Sequence, residues 1–237
     1  MKNSLSPLPW LPALVLFSFA WVPLQAQQDQ FLPEIDAYLK VNPLVRTYFQ
    51  AKYDRGGGDP VQATIGPSAQ FYLKPLLKLK RISAFDLDDA KRRPLVIEAG
   101  YRYITAPDAA PKNRLLLAAT SNFPTKGAVL ITDRNRADLD WKAGALYWRY
   151  HNKLTLERTF AIHSYHFIPY VAGEPFYLSQ YGKWSTTSLY AGCLLPVGKH
   201  VQLNTYYEHD NNTGKHPNEQ VNSAGLELNL YFSVIKD

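Results

Sequence analysis

The chain has 237 residues, a single cysteine and a formal net charge of +6. This length suits one large domain, and one cysteine excludes an internal disulfide. The positive charge is small for a nucleic-acid-binding protein, so we predict no nucleic-acid partner.

Residues 1–26 have the organisation of a secretory signal peptide. Lys2 supplies the positive start, residues 8–23 are mostly apolar, and Ala26 ends a candidate cleavage site. The alternative, an uncleaved anchor helix, fits less well because four prolines interrupt a segment that is short for a membrane span. We therefore expect an exported protein in which residues 27–237 form a single domain.

After this segment, alternation and turn residues predict eleven strands. They cover residues 31–41, 45–54, 61–73, 95–105, 113–123, 128–141, 145–160, 164–177, 184–195, 201–209 and 221–232. Short turns between them, such as Lys142-Ala143-Gly144, predict an all-β, antiparallel up-and-down meander.

The segment 145–160 shows the alternation most clearly. Its odd positions include Arg149, Lys153 and Glu157, whereas most of its even positions are Leu, Trp, Tyr or Phe. A charged face that recurs strand after strand behind a signal peptide predicts a transmembrane β-barrel with lipid outside and a polar lumen. The alternative is a soluble periplasmic, lipocalin-like barrel, in which the apolar face would point inward.

The strand count is open, because bacterial single-chain barrels use even numbers. The connection 74–94 is long enough to hold a further strand, so we expect ten to twelve strands and favour twelve. Alternatively, it is an extracellular loop whose basic residues meet lipopolysaccharide phosphate, or a solvated loop balanced by Asp86, Asp88 and Asp89.

Three sequence segments carry a family resemblance. Residues 133–141 read Asp-Arg-Asn-Arg-Ala-Asp-Leu-Asp-Trp, residues 148–157 read Trp-Arg-Tyr-His-Asn-Lys-Leu-Thr-Leu-Glu, and residues 169–177 read Pro-Tyr-Val-Ala-Gly-Glu-Pro-Phe-Tyr. Together they resemble an uncharacterised family of bacterial outer-membrane β-barrels, domain of unknown function 2490. His151 stands where a second Arg is expected and Asp138 where Glu is usual. The resemblance implies location and architecture but no activity.

One set of charged residues is predicted to line the lumen. Its members are Glu98, Arg102, Arg134, Arg136, Asp138, Asp140, Arg149, Lys153, Glu157 and Glu174. One interpretation is a salt-bridged network that fills and rigidifies the barrel, and the other is a selectivity lining for an anionic solute. Both signs occur in comparable numbers, which favours mutual neutralisation and the structural interpretation. The expected function is a structural barrel or a small-solute pore with a charged lumen.

Catalysis is not expected. The segment Glu208-His209-Asp210-Asn211 resembles the His-x-Ser-Asn motif of lipid A deacylases, but Asn211 replaces the nucleophilic serine. A barrel lipid hydrolase is therefore a lesser alternative. Cys193 is predicted to be a small apolar residue, and neither a metal site nor a cofactor is predicted.

The expected location is the bacterial outer membrane. The partners would be outer-membrane lipid, lipopolysaccharide and the barrel-assembly machinery, and the sequence leaves the oligomeric state open. Trp141, Trp148 and Trp184 lie near strand ends, the position of the aromatic girdles of membrane barrels.

Overall fold

The computed structural model describes residues 28–73, 87–107, 109–163, 165–214 and 218–235. The predicted signal peptide lies outside these residues. The strands are β1 (Gln28–Asn42), β2 (Val45–Gly56), β3 (Asp59–Tyr72), β4 (Leu95–Ala106), β5 (Ala109–Pro124), β6 (Val129–Lys142), β7 (Ala145–Arg158), β8 (Phe160–Ile162), β9 (Tyr165–Leu178), β10 (Lys183–Val197), β11 (Val201–Asn212) and β12 (Glu219–Ser233). In the described ranges, no helix is long and apolar enough to cross a membrane.

Eleven of these strands close into a barrel. Each is hydrogen-bonded to the next in chain order, β7 pairs with β9, and β12 pairs with β1 to close the sheet. The prediction of an all-β barrel of ten to twelve strands is confirmed. Most predicted strands are found within a few residues of their expected bounds.

The closing seam differs from the predicted antiparallel pattern. Strand direction alternates along a meander, so the first and last of eleven strands run the same way. β1 and β12 accordingly pair in parallel, with Glu34 beside Glu227 and Asp36 beside Asn229. The sheet therefore closes with eleven strands and not with the even number expected of a bacterial barrel.

The remaining strand, β8, lies outside the closed ring and, among the described residues, pairs with the start of β9 alone. The prediction of a strand in the 74–94 connection is wrong for its described part, because residues 89–92 form a 3-10 turn. Asp88 caps this turn by accepting a hydrogen bond from the backbone N–H of Ala90 at 3.0 Å. Residues 74–86 lie outside the described residues.

Tight turns define the two ends of the barrel. Gly57 and Gly58 connect β2 to β3, and Ala143 and Gly144 connect β6 to β7; all four have positive φ, the backbone that two-residue hairpin turns require. Both turns lie at the same end, called here the Gly57 end. The opposite end, which carries the β1–β2 turn at Pro43, is called the Pro43 end.

The two faces of the sheet are inverted relative to a soluble protein. Asp138 is 0% exposed on the inner face, whereas Leu117 is 61% exposed on the outer face. The large apolar residues exposed on the outer face include Phe31, Ile35, Phe49, Ile65, Leu115, Leu117, Leu139, Leu154, Leu156, Val171, Leu189 and Leu226. The buried polar residues of the inner face include Asp36, Arg46, Glu98, Arg102, Arg114, Asp138, Asp140, His151, Glu157, Glu174, Gln202, Asn204 and Asn229.

Two tyrosines pack over glycines of the neighbouring strand inside the barrel. Tyr170 lies directly opposite Gly192, and Tyr206 lies directly opposite Gly225. A Cβ at Gly225 would lie 2.0 Å from Tyr206 Cζ, and one at Gly192 would lie 2.7 Å from Tyr170 Cζ. The glycines therefore make room for the rings, which cover the backbone and fill the lumen.

Candidate functional site: the charged lumen

Asp138 of β6 is the centre of the largest group of lumen charges. Its two carboxylate oxygens accept hydrogen bonds from Arg136 Nε at 2.7 Å and from Arg149 Nε at 2.5 Å. Arg114 Nε lies 3.6 Å from the same carboxylate. Several guanidinium groups thus share one fully buried negative charge.

Glu174 of β9 forms the second group. One oxygen pairs with His151 Nδ1, and the other accepts a hydrogen bond from Tyr190 Oη at 3.0 Å. Lys153 Nζ lies 3.8 Å from Glu174 and 3.5 Å from the centre of the Tyr190 ring. Lys153 is therefore loosely paired and is held partly by a cation–π contact.

Glu98 of β4 forms the third group. It accepts hydrogen bonds from Arg134 Nη2 at 3.0 Å and from Tyr48 Oη at 2.7 Å. Arg102, which was predicted to belong to the charge network, instead donates to neutral groups, among them Gln50 Oε1 at 2.6 Å and Tyr48 Oη at 2.9 Å.

Asp140 makes a bidentate pair with an arginine that the predicted set omitted. Arg114 Nε and Nη2 donate to the two oxygens of Asp140 at 2.6 and 2.9 Å. Arg114 and Asp140 are directly opposite in the β5–β6 register. Lys112, Arg114 and Leu116 occupy alternate positions of β5 and therefore share one face of the strand. This alternation could have placed Arg114 in the lumen.

Residues 87–93, called here the mouth segment, cross the Pro43 end of the barrel. Asp88 accepts a hydrogen bond from Arg46 Nη1 at 2.6 Å. Asp89 pairs with Lys40 at 3.2 Å and accepts a hydrogen bond from Tyr72 Oη at 2.9 Å. These acids therefore contact β1, β2 and β3 instead of forming a merely solvated loop.

The mouth segment also reaches the far side of this end. Lys91 Nζ donates to Glu157 of β7 at 2.7 Å, so the predicted lumen residue Glu157 has a partner outside the predicted set. Asn122 of β5 donates to the carbonyl oxygens of Ala90 at 3.1 Å and Arg93 at 2.7 Å. Sequence alternation could not reveal these contacts because the segment is not a strand.

The opposite side of the lumen is acidic. Its carboxylates lie on β11, β12 and β1 and are called here the acidic wall: Glu34, Asp36, Glu208, Asp210 and Glu227. The hydrogen bonds described for them come mainly from neutral groups, for example from Asn204 to Glu227 at 2.9 Å and from Tyr38 to Asp36 at 3.0 Å. Among the described residues, no cluster of three or more His, Cys, Asp or Glu side chains is arranged to hold a metal ion.

The cations of β6 and β7 extend further into the lumen than the carboxylates with which they pair. Four cations on these strands, called here the cationic patch, are Arg134, Arg136, Arg149 and Lys153. Their side chains are more exposed to the lumen than the carboxylates they pair with: 29% for Arg134 against 5% for Glu98, 26% for Arg149 against 0% for Asp138, and 28% for Lys153 against 9% for Glu174. The carboxylates lie against the sheet, so the surface that lumen water meets on this side is cationic.

A polar group lies on the outer face among the apolar residues of β6 and β7. Asn152 Nδ2 donates to Asp133 Oδ1 at 2.5 Å and to Asn135 Oδ1 at 3.1 Å, and Tyr150 Oη donates to Asn135 Oδ1 at 2.5 Å. These residues have the parity of Leu154, which is 54% exposed. The group satisfies its polar atoms internally.

The residues considered for catalysis do not form a triad within the described residues. His209 Nδ1 pairs with Asn222 Oδ1 at 2.7 Å, and Asp210 pairs with Ser188.

No family model matches this chain, and no curated protein matches it. Membership of the outer-membrane family suggested by residues 133–177 therefore stays a prediction.

Proposed function

We propose that this chain is an integral outer-membrane β-barrel with a charged lumen. The observation that carries the proposal is the inverted sheet, in which Asp138 is fully buried while leucines such as Leu117 and Leu154 cover the outer face. Exposing this many large apolar side chains to water is unfavourable, at about 25 cal/mol per Å² of apolar surface. Lipid around the barrel removes that cost.

The strand lengths support the same proposal. The barrel strands contain between 12 residues, as in β2, and 16 residues, as in β5. At about 3.3 Å per residue and a tilt of about 40°, twelve residues span about 30 Å along the barrel axis. This exceeds the roughly 25 Å apolar band of outer-membrane barrels.

Aromatic residues at the Gly57 end support a membrane interface there. Trp148 stacks on Tyr177 with ring centres 5.1 Å apart, and Trp184 contacts both Tyr177 and Tyr150 edge-on at 5.9 Å. Trp141, Trp148 and Trp184 are all exposed. Such amphipathic rings are typical of the girdle at the level of the lipid head groups.

The alternatives receive less support. A lipocalin-like barrel requires an apolar interior, whereas the large exposed apolar residues lie on the outer face and the interior holds ion pairs. A lipid hydrolase requires a nucleophile beside a base, and His209 pairs with the amide of Asn222. The geometry favours a structural barrel or a small-solute pore over an enzyme.

The test is membrane insertion of the exported chain. The full chain is expressed with residues 1–26, outer membranes are isolated, and boiled and unboiled samples are compared by gel mobility. We expect a heat-dependent mobility shift in the detergent-extracted membrane fraction. A soluble periplasmic product without a shift would refute the proposal.

A further inference from the structure

The cationic patch breaks a packing rule that strands ordinarily obey. Arg134 of β6 and Lys153 of β7 are direct cross-strand partners on the lumen face. Like charges in this position destabilise a sheet, and neighbouring strands usually carry opposite charges there. Glu98 and Glu174 compensate this pair in part, and violations of such local rules are expected at functional or strained sites.

The carboxylates behind the patch do not neutralise it fully. Asp138 is shared by Arg136 and Arg149, at 2.7 and 2.5 Å. Lys153 lies 3.8 Å from Glu174, whose oxygens are already engaged by His151 and Tyr190. With Glu98, which pairs with Arg134, three carboxylates are paired with four cations, so one formal positive charge of the patch is not neutralised.

Geometry leaves donors available to a ligand in the lumen. Arg134 donates to Glu98 through Nη2, and Arg149 donates to Asp138 through Nε, so part of each five-donor guanidinium is uncommitted to these carboxylates. The side chains of Arg149, Lys153 and Arg134 are 26–29% exposed, so packing in the lumen leaves part of each uncovered. Guanidinium groups with free N–H donors bind carboxylates and phosphates in bidentate fashion.

Access is favoured from the Gly57 end. The mouth segment crosses the Pro43 end, where Arg46 is buried and the more exposed partner is the carboxylate of Asp88. Arg149 lies in the half of β7 nearer the Gly57 end. A small anion entering there passes Glu208 and Asp210 of the acidic wall on one side and meets Arg149, then Lys153 and Arg134, on the other side.

We propose that the cationic patch Arg134, Arg136, Arg149 and Lys153 is a binding site for a small oxyanion, a phosphate or a carboxylate, inside the barrel. This inference rests on the proposed membrane barrel and deepens it. Acidic and basic residues of the lumen are similar in number, but on this side the acidic side chains are more deeply buried than the basic ones. The equal numbers therefore do not make the exposed surface neutral.

The experiment measures anion binding to the folded full-length barrel in detergent micelles. Inorganic phosphate and acetate are titrated separately at low ionic strength by isothermal titration calorimetry. The test variant is Arg134→Gln with Lys153→Gln. The matched control is Lys126→Gln with Lys199→Gln, which removes the same charge from exposed turns at the Pro43 end. The heat-dependent gel shift is recorded for every protein.

We expect the wild type and the control to bind at least one of the two anions equally well. Loss of two charge-assisted donors should weaken binding by the test variant about 10-fold or more. Phosphate binding alone would assign a phosphate site, and binding of both anions a general oxyanion site. If the test variant does not fold, Lys153→Met, which keeps a long unbranched side chain beside the Tyr190 ring, should show a smaller loss in the same direction.

Failure of this inference is distinguishable from failure of the proposed function. A wild-type barrel with the gel shift but no binding of either anion would overturn the site and leave the membrane barrel standing. Equal binding by the test variant and the control would also overturn the site. Absence of the gel shift in the wild type would overturn both.

Discussion

Lys91 of the mouth segment donates a 2.7 Å hydrogen bond to Glu157 of β7, joining residues 66 positions apart in the chain. Since other residues of the segment contact β1, β2 and β3, this pair connects two sides of the Pro43 end. The segment is therefore fastened across the end of the barrel.

The substitution Glu157→Gln should loosen this attachment. Both side chains are mostly buried, at 8% and 18% exposed, so we expect a loss of about 1–3 kcal/mol in the free energy of unfolding. Urea titration of the folded barrel, followed by tryptophan fluorescence, measures it. A double-mutant cycle with Lys91→Met isolates the pair; a coupling energy near zero would show that the pair does not fasten the segment.

A substitution at Leu154 tests whether the outer face of the barrel contacts lipid. Replacing Leu154 with Arg should destabilise the barrel in lipid by about 2–4 kcal/mol if this residue lies near the middle of the bilayer. The matched control is Leu44→Arg, because Leu44 is an exposed leucine in the β1–β2 turn and a charge near the membrane surface costs about 0–1 kcal/mol. Equal stabilities of the two variants in vesicles would count against a lipid-facing Leu154.

Gly225 tests the packing of tyrosine over glycine. The substitution Gly225→Ala would place a Cβ 2.0 Å from Tyr206 Cζ, so the ring must move, and we expect a loss of about 1–3 kcal/mol. Gly173→Ala is the control, since its nearest atom is Leu189 Cδ2 at 3.8 Å. Adding Tyr206→Leu to Gly225→Ala should recover part of the loss in the same urea assay; no recovery would exclude the ring as the cause.

Much of the barrel was predictable because each strand alternates between an apolar outer face and a polar lumen. The ten predicted lumen residues all lie on the inner face, since parity alone decides the face of a strand residue. Parity does not decide partners, however. Arg102 donates to neutral groups instead of to an acid, and Glu157 pairs with a residue of the mouth segment.

Three further features depend on closure of the sheet in three dimensions. The parallel seam between β1 and β12 follows from an odd number of barrel strands. Alternation predicted these eleven strands, and the preference for twelve came from the even numbers usual in bacterial barrels. The mouth segment is a 3-10 turn positioned by contacts distant in sequence. The radial order of Asp138 behind Arg149 is a matter of side-chain depth, which a linear pattern does not contain.

Asp138 tests how far the buried ion pairs support the barrel. Asp138→Asn removes the negative charge that Arg136 and Arg149 share, leaving two clustered cations uncompensated, so we expect a loss of about 3–5 kcal/mol. Asp59→Asn, in an exposed position at the start of β3, is the charge-matched control and should change stability little. Indistinguishable urea midpoints for the two variants would refute a stabilising role for this group.

The polar group on the outer face tests what surrounds the middle of β6 and β7. Asp133→Ala removes the acceptor of Asn152 Nδ2 at 2.5 Å and that of Asn135 Nδ2 at 3.3 Å, and unsatisfied N–H groups facing lipid should cost about 1–3 kcal/mol. Replacing both residues, Asp133→Leu with Asn152→Leu, removes one of these donors together with the acceptor and extends the apolar belt. If lipid covers this face, the double variant should be more stable in vesicles than Asp133→Ala, because it leaves fewer unsatisfied N–H groups on this face. A double variant that is less stable in vesicles than Asp133→Ala would contradict the assignment of this face of β6 and β7 to lipid.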